Sequence, residues 1–233
     1  MTISIEPVGY LHSPFKEKFG IPRQPSLVPS ATSTLPLCGD YNTPETVRDI
    51  EQFSHLWLLF IFDHNLEKGW TPTVRPPRLG GNKRVGVFAS RSTFRPNPIG
   101  MSAVELKSVS IKEGQVVLNL GGVDLVDGTP IIDIKPYIPY SDAVSSATGG
   151  YAPTPPKALA VVFSHQARLM LEQSPQSEHT LAVISEVLAQ DPRPAYKKNK
   201  ADDKEYGVKL FNFNVKFVIS NKTVHVTQID ALA

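Results

Sequence analysis

Short apolar runs broken by proline and glycine set the pattern of the chain up to about residue 144. Residues 8–13, 56–62, 85–89, 104–111, 116–120 and 131–134 have the length and the β-branched or aromatic content of strands. Lys112-Glu113-Gly114-Gln115 separates two of these runs and predicts a hairpin. Several such strands on one core predict a sandwich or a closed barrel. Long irregular stretches interrupt them at 16–41 and 69–84, and loops of that length are uncommon in compact domains unless they bind something.

After residue 144 the texture changes. Residues 145–156, SSATGGYAPTPP, are small, polar and proline-rich, which predicts a linker. Beyond it, 157–164 reads as a strand, 166–173 and 181–189 carry helical periodicity, and 211–219 and 224–229 return to strand alternation. The expected organisation is a strand-rich domain over 1–144, a linker over 145–156 and a smaller α+β domain over 157–233, with no internal repeat.

Composition bounds this picture. With 233 residues, 41% of them hydrophobic, the chain can bury a substantial core. A net charge of +2 is too mild to announce nucleic-acid binding globally. The longest apolar run, residues 56–62, falls far short of the roughly 20 residues of a membrane-spanning helix. MTISIEPVGY has no basic segment leading into an apolar one, so neither a membrane span nor a signal peptide is expected. Cys38 is the single cysteine, and the six histidines show no metal-ligand spacing, which predicts a cytoplasmic protein without a structural metal.

Charge is concentrated locally. From Lys68 to Val104 the chain carries Lys68, Arg75, Arg78, Lys83, Arg84, Arg91 and Arg95 and no acidic residue. Arg75-Pro76-Pro77-Arg78 and Arg95-Pro96-Asn97-Pro98 hold arginines on backbone that proline restricts, which lowers the entropy lost when a guanidinium is fixed on a phosphate or carboxylate. Asp124-Leu125-Val126-Asp127-Gly128-Thr129-Pro130 reads either as ordinary turn chemistry or as two carboxylates placed to hold a ribose hydroxyl or an amine. His64-Asn65 directly follows an apolar strand, and Pro22-Arg23-Gln24-Pro25 sits in the long early loop. No strand leads into a G-x-G-x-x-G fingerprint, a P-loop or a G-x-S-x-G elbow, so a Rossmann dinucleotide site, a nucleoside-triphosphate site of the P-loop kind and serine-hydrolase chemistry have no support.

GVFASRSTFRPNPIGMS, residues 86–102, resembles the signature of the family first catalogued as uncharacterised protein family UPF0066. EPVGYLHSPFKEKFGIPRQP near the start, RPPRLGGN, DLVDGTPIIDIKPY and AQDPRPAY extend the resemblance, in order, over both expected domains. It implies a β-barrel methyltransferase over 1–144, not a Rossmann one, which uses S-adenosylmethionine to methylate N6 of threonylcarbamoyladenosine at position 37 of threonine tRNA. It also implies a homodimer. Carried over by motif, cofactor contacts fall on Pro22, Arg23, Gln24, His64, Asn65, Arg91, Met101 and the segment Asp124, Leu125, Val126, Asp127, Gly128 and Thr129.

On that reading a general base would assist loss of the N6 proton, with His64 and Asp127 as candidates. Arg95 is expected to hold an RNA phosphate or the threonyl carboxylate, and Arg75, Arg78, Lys83 and Arg84 to track phosphates around the pocket. Residues 193–209, with Tyr196, Lys197, Lys198, Lys200 and Tyr206, are expected to extend this surface. The same cations also admit an RNA-binding barrel without catalysis, or a methyltransferase of this fold with another acceptor.

Overall fold

The computed structural model describes residues 3–232 apart from 175 and 199–201. Before residue 137 the strands are β1 (Gly9–Tyr10), β2 (Thr32–Pro36), β3 (His55–Ile61), β4 (Thr73–Val74), β5 (Val85–Gly86), β6 (Ile99–Lys112), β7 (Gln115–Gly121) and β8 (Pro130–Pro136). Six of them form an antiparallel sheet in the order β1-β8-β3-β6-β7-β2. The two edges meet through bridges between Gly9 and Leu37 and between His12 and Thr34, so the sheet curls into a nearly closed barrel. Pairing around the ring leaves little free edge.

Inward residues alternate along the strands as the two-residue period demands. Leu56, Leu58 and Phe60 of β3 are buried opposite Val104, Ser102 and Gly100 of β6, and Val116, Leu118 and Leu120 of β7 complete the filling. The expected hairpin joins β6 to β7: Lys112 pairs with Gln115, and both intervening residues, Glu113 and Gly114, have positive φ, the geometry of a type I′ turn.

Three expectations are corrected here. Only Val85–Gly86 of residues 85–89 is a strand, pairing with β4 as a short ribbon. The following Val87–Ala89 tightens into a single helical turn, because Ser90 closes back onto the Val87 carbonyl through its backbone N–H and its hydroxyl. β2 lies inside the stretch 16–41, irregular by its sequence pattern, and its alternating Ser33 and Leu35 face the barrel.

A one-turn helix α1 (Pro139–Asp142) follows β8, and residues 143–159 run without regular strand or helix. Tyr151 Oη donates to the Ala89 carbonyl, and Arg78 Nη1 donates to that of Thr154, so this stretch lies against the barrel loops. The smaller unit contains β9 (Ala160–Phe163), α2 (His165–Glu172), α3 (Ser177–Ala189), β10 (Asp202–Leu210), β11 (Phe213–Ser220) and β12 (Thr223–Ala231). Its sheet runs β10-β11-β12-β9, with β9 parallel to β12. Ser164 caps α2 by accepting from Ala167 N. β10 is the third correction, a charged edge strand, overlapping residues 193–209, that the sequence pattern does not mark as a strand.

The two units share one buried cluster, from Leu11, Phe15 and Val28 to Val187, Val208 and Leu210. Phe15 bridges Leu210, Phe211 N donates to the Pro14 carbonyl, and Ser30 binds the Glu186 carboxylate through both its N–H and its hydroxyl. These contacts press the early loop, residues 16–31, between the barrel and α3.

Candidate functional site

A cavity of about 460 Å³ opens at one end of the barrel. Its walls come from five separated stretches: Lys18 to Arg23, Phe60 to Lys68, Arg91 to Phe94, Met101 with Ser102, and Asp124 to Thr129. Mixed apolar walls with a few convergent polar groups are the usual make-up of a small-molecule site, and this size falls within the usual range. The aromatic side is Phe60, Phe62 and Phe94, with Phe60 and Phe62 meeting edge to face at 5.2 Å.

Asp124 is the chemically distinctive group. Burial pushes its carboxyl up to about 6, against the opposing pull of the Ser102 hydroxyl, its own backbone N–H and the nearby Arg91 guanidinium. Ser102 Oγ donates to Asp124 Oδ1 at 2.6 Å. Arg91 is steered from outside the cavity, since its Nη1 donates to Gln24 Oε1 at 2.5 Å. Lys18 Nζ donates to Asn65 Oδ1 at 2.8 Å and to the His64 carbonyl at 3.2 Å. Its ammonium is held below the ordinary lysine value by burial and by Lys68, with Asp63 opposing. His64 stands half-exposed, its Nε2 3.7 Å from Asp63 Oδ2.

Of the expected cofactor contacts, Pro22, Arg23, His64, Asn65, Arg91, Met101, Asp124, Leu125, Val126 and Thr129 line this one cavity. Gln24 does not line it and touches its wall through Arg91 and the Arg23 carbonyl. Asp127 and Gly128 do not line it. The Asp127 carboxylate accepts from Ser13 N and Lys16 Nζ, and Gly128 N donates to the Leu11 carbonyl, so the DG turn is pinned to the strand edge behind the cavity. The structure therefore turns one carboxylate of the DLVDG segment toward the cavity and the other away from it. Lys18, Asp63 and Ser102 also line the site, and no sequence signal singles them out. Ser102 closes the FASRSTFRPNPIGMS stretch, but its role depends on a partner 22 residues away.

The expected RNA-facing cations are spread over the surface around this end of the molecule. Arg84 donates to Thr73 Oγ1 across the short ribbon, and Arg75 and Lys83 are exposed. Arg95 is turned onto its own loop, donating to the Ser90 carbonyl at 2.8 Å and lying over the Phe88 ring, so it braces the loop instead of presenting a free guanidinium. Tyr206 is half-buried and stacked with Phe19 and Phe217. Lys197 and Lys198 lie at a single helical turn near the early loop, while Lys200 and the Tyr196 side chain fall outside the described residues. Among the described residues no cluster of three or more His, Cys, Asp or Glu side chains could hold a metal, and no helix is long and apolar enough to cross a membrane.

The family model for the tRNA-methyltransferase O N-terminal domain matches residues 10–143, and that for the TrmO C-terminal domain matches residues 156–232. The chain belongs to the tRNA methyltransferase O family. It is 49% identical over 231 residues, 98% of each chain, to a protein of Escherichia coli (strain K12) named tRNA (adenine(37)-N6)-methyltransferase. It is 48% identical, over 92% of each chain, to a putative S-adenosylmethionine-dependent methyltransferase of Pseudomonas aeruginosa. The crystal structure of TrmO from Pseudomonas aeruginosa superposes with a TM-score of 0.82 at 39% identity, covering 99% of both chains. The barrel described above is thus the fold of this family, and the resemblance carried by residues 86–102 leads to the same family.

Proposed function

We propose that the chain transfers a methyl group from S-adenosylmethionine to N6 of threonylcarbamoyladenosine at position 37 of threonine tRNA. The observation that carries this reading is the cavity at the barrel end, where Arg91, the partly buried Asp124 and an aromatic wall converge in a chain of this family.

The residues present fit the cofactor. Arg91, held by Gln24, suits its carboxylate, and Asp124 suits its amine or a ribose hydroxyl, while Phe62 and Phe94 supply apolar surface for the adenosine. When bound, the sulfonium supplies an electrophilic methyl with its leaving group already in place. The protein's work is then alignment, and well-oriented groups can lower a barrier by roughly 7–11 kcal/mol. The N6 proton has to leave a urea-like nitrogen whose lone pair is delocalised. Of the two candidates His64 is the one that lines the cavity, with Asp63 beside its imidazole, and is the group proposed to accept it, since Asp127 is held by Lys16 and Ser13 behind the site.

In this reading residues 1–144 form the catalytic barrel, 145–156 link it to the smaller domain, and 157–233 aid tRNA binding. Arg75, Arg78, Lys83 and Arg84 meet the RNA backbone. A homodimer would cover Phe88, Ile99 and Met101, large apolar side chains that stand exposed beside the cavity. A tRNA substrate fits a cytoplasmic location.

The test is transfer of labelled methyl from S-adenosylmethionine to two tRNA pools, from cells that make threonylcarbamoyladenosine and from cells that cannot. Label is expected only in the first pool, at position 37. Label in both pools would point to another acceptor, and tight RNA binding with no label in either would support a binding barrel without catalysis.

A further inference from the structure

A second cavity, of about 300 Å³, lies in the seam between the barrel loops and the smaller domain. The early loop contributes Arg23 to it, the turn after β4 contributes Arg78, and the segment after α3 contributes Gln190 and Lys198. We propose that this seam is a phosphate-binding site, framed by Arg23, Arg78 and Lys198, that grips a backbone phosphate of the RNA substrate. The proposal rests on the tRNA reading above and adds to it a single geometric site beside the cofactor cavity, with Arg23 shared between the two.

Three cations from three distant stretches of chain converge on one concave surface. One donor of Arg78 is used on the Thr154 carbonyl and Lys198 Nζ reaches the Gln190 carbonyl at 3.3 Å, which positions both groups without neutralising either. Among the described residues none of the three forms an ion pair. Asp191, the nearby carboxylate, is engaged in a bidentate pair with the buried Arg193, at 2.9 and 3.0 Å. The seam therefore keeps an excess of positive charge that an anion would relieve.

Arg23 lines both cavities and stands where they meet. Burial first, and then the Arg78 guanidinium, lower Arg23 below the ordinary arginine value, with Asp191 opposing. Lys198 is lowered in the same way by burial, Arg23 and Arg193, again with Asp191 opposing. The cation acting on Asp124 in the cofactor cavity is Arg91. Arg78 and Lys198 line the seam and not the cofactor cavity, while Arg23 stands at the border between the two. The seam adjoins the cofactor cavity, so an RNA held there would lie beside the cofactor.

The experiment compares wild type with Arg78→Ala, Lys198→Ala, the double variant and the charge-preserving Arg78→Lys. Binding of a tRNA is read by fluorescence anisotropy across a salt series, and binding of S-adenosylmethionine by calorimetry. The expected result is a fall in RNA affinity of about tenfold or more in the double variant, with a salt slope flatter by about 0.7–0.9 for each phosphate no longer neutralised. Arg78→Lys should retain much of the affinity, and cofactor affinity should stay within about twofold of wild type, about 0.4 kcal/mol, in all four variants. Cofactor affinity falling in the double variant as far as RNA affinity would overturn the proposal. So would unchanged RNA affinity and salt slope in the double variant. Inorganic pyrophosphate is titrated separately; its binding to wild type but not to the double variant, with RNA affinity unchanged, would assign the seam to a small phosphate compound and overturn the RNA assignment. RNA binding that depends on these residues in a protein that transfers no methyl would support the site while overturning the methyl-transfer reading.

Discussion

Ser102 Oγ donates a 2.6 Å hydrogen bond to Asp124 Oδ1, tying the inner face of β6 to the segment that leaves β7. The bond favours the ionised carboxylate, yet burial outweighs it and brings the group to about 6. Asp124 is therefore charged at neutral pH and protonated only slightly below it.

A cationic cofactor binds best to the ionised form, so its affinity should weaken as pH falls below about 6, approaching tenfold per pH unit. Asp124→Asn should bind more weakly at neutral pH and lose this part of the pH dependence. Ser102→Ala removes a bond to the charged form and should move the onset to higher pH. Calorimetric titration with S-adenosylmethionine at several pH values checks all three; a pH profile unchanged in Asp124→Asn would remove Asp124 from the cofactor contacts.

The same shift affects stability with a definite sign. The folded-state value lies above the ordinary 3.8, so the folded protein holds this proton more tightly than the unfolded chain, and stability from this group falls as pH rises from about 4 to about 6. Above that range the cost of a buried charge persists. Asp124→Asn should therefore melt higher than wild type at neutral pH in the absence of cofactor, which differential scanning calorimetry would read.

Arg91→Ala should weaken cofactor binding about 10- to 100-fold, the range for hydrogen bonds to charged groups. Gln24→Ala should cost less, because Gln24 holds the guanidinium without lining the cavity itself. Comparison of KM and kcat for both variants separates binding from the chemical step, with the larger change expected in KM.

Gly100 stands opposite Phe60 across the β3–β6 pair, and a Cβ there would lie 2.4 Å from the Phe60 ring and 2.8 Å from that of Phe62. Gly100→Ala must displace two aromatic side chains that contact each other at the cavity wall. A destabilisation of about 1–3 kcal/mol is expected from such overpacking, with a parallel fall in cofactor affinity. Denaturant unfolding and cofactor titration measure the two effects.

Asp191→Asn removes the charge that accepts the two bonds of the buried Arg193 guanidinium, and a loss of stability of about 1–3 kcal/mol is expected, as for hydrogen bonds to charged groups. Asparagine tolerates the positive φ of 52° at this position, so the effect would report on charge rather than backbone. Chemical denaturation at low and high salt checks it, with little salt dependence expected for a buried pair.

Much of this protein is legible in the residue order alone, because the deciding terms act between near neighbours. The two-residue period fixes which residues of β3 and β7 face inward, and the residues at 113 and 114 set the hairpin between β6 and β7. The FASRSTFRPNPIGMS stretch, singled out by its family resemblance, supplies Arg91, Thr93, Phe94, Met101 and Ser102 to the cavity wall. β2 and β10 are not legible in this way because strand identity there depends on a partner: Ser33 and Leu35 become a barrel wall only beside β7, and the charges of β10 are tolerated at a sheet edge. What only the tertiary structure decided is the division of labour among like residues. Asp124 and Asp127 stand three positions apart in one motif, yet closure of the barrel turns the first to the cavity and leaves the second to Lys16 and Ser13. Arg23, Arg91 and Arg95 look equivalent along the chain, and packing sets the first between the two cavities, the second on the cavity at the barrel end and the third on its own loop, because the groups that hold each of them are brought together only by the fold.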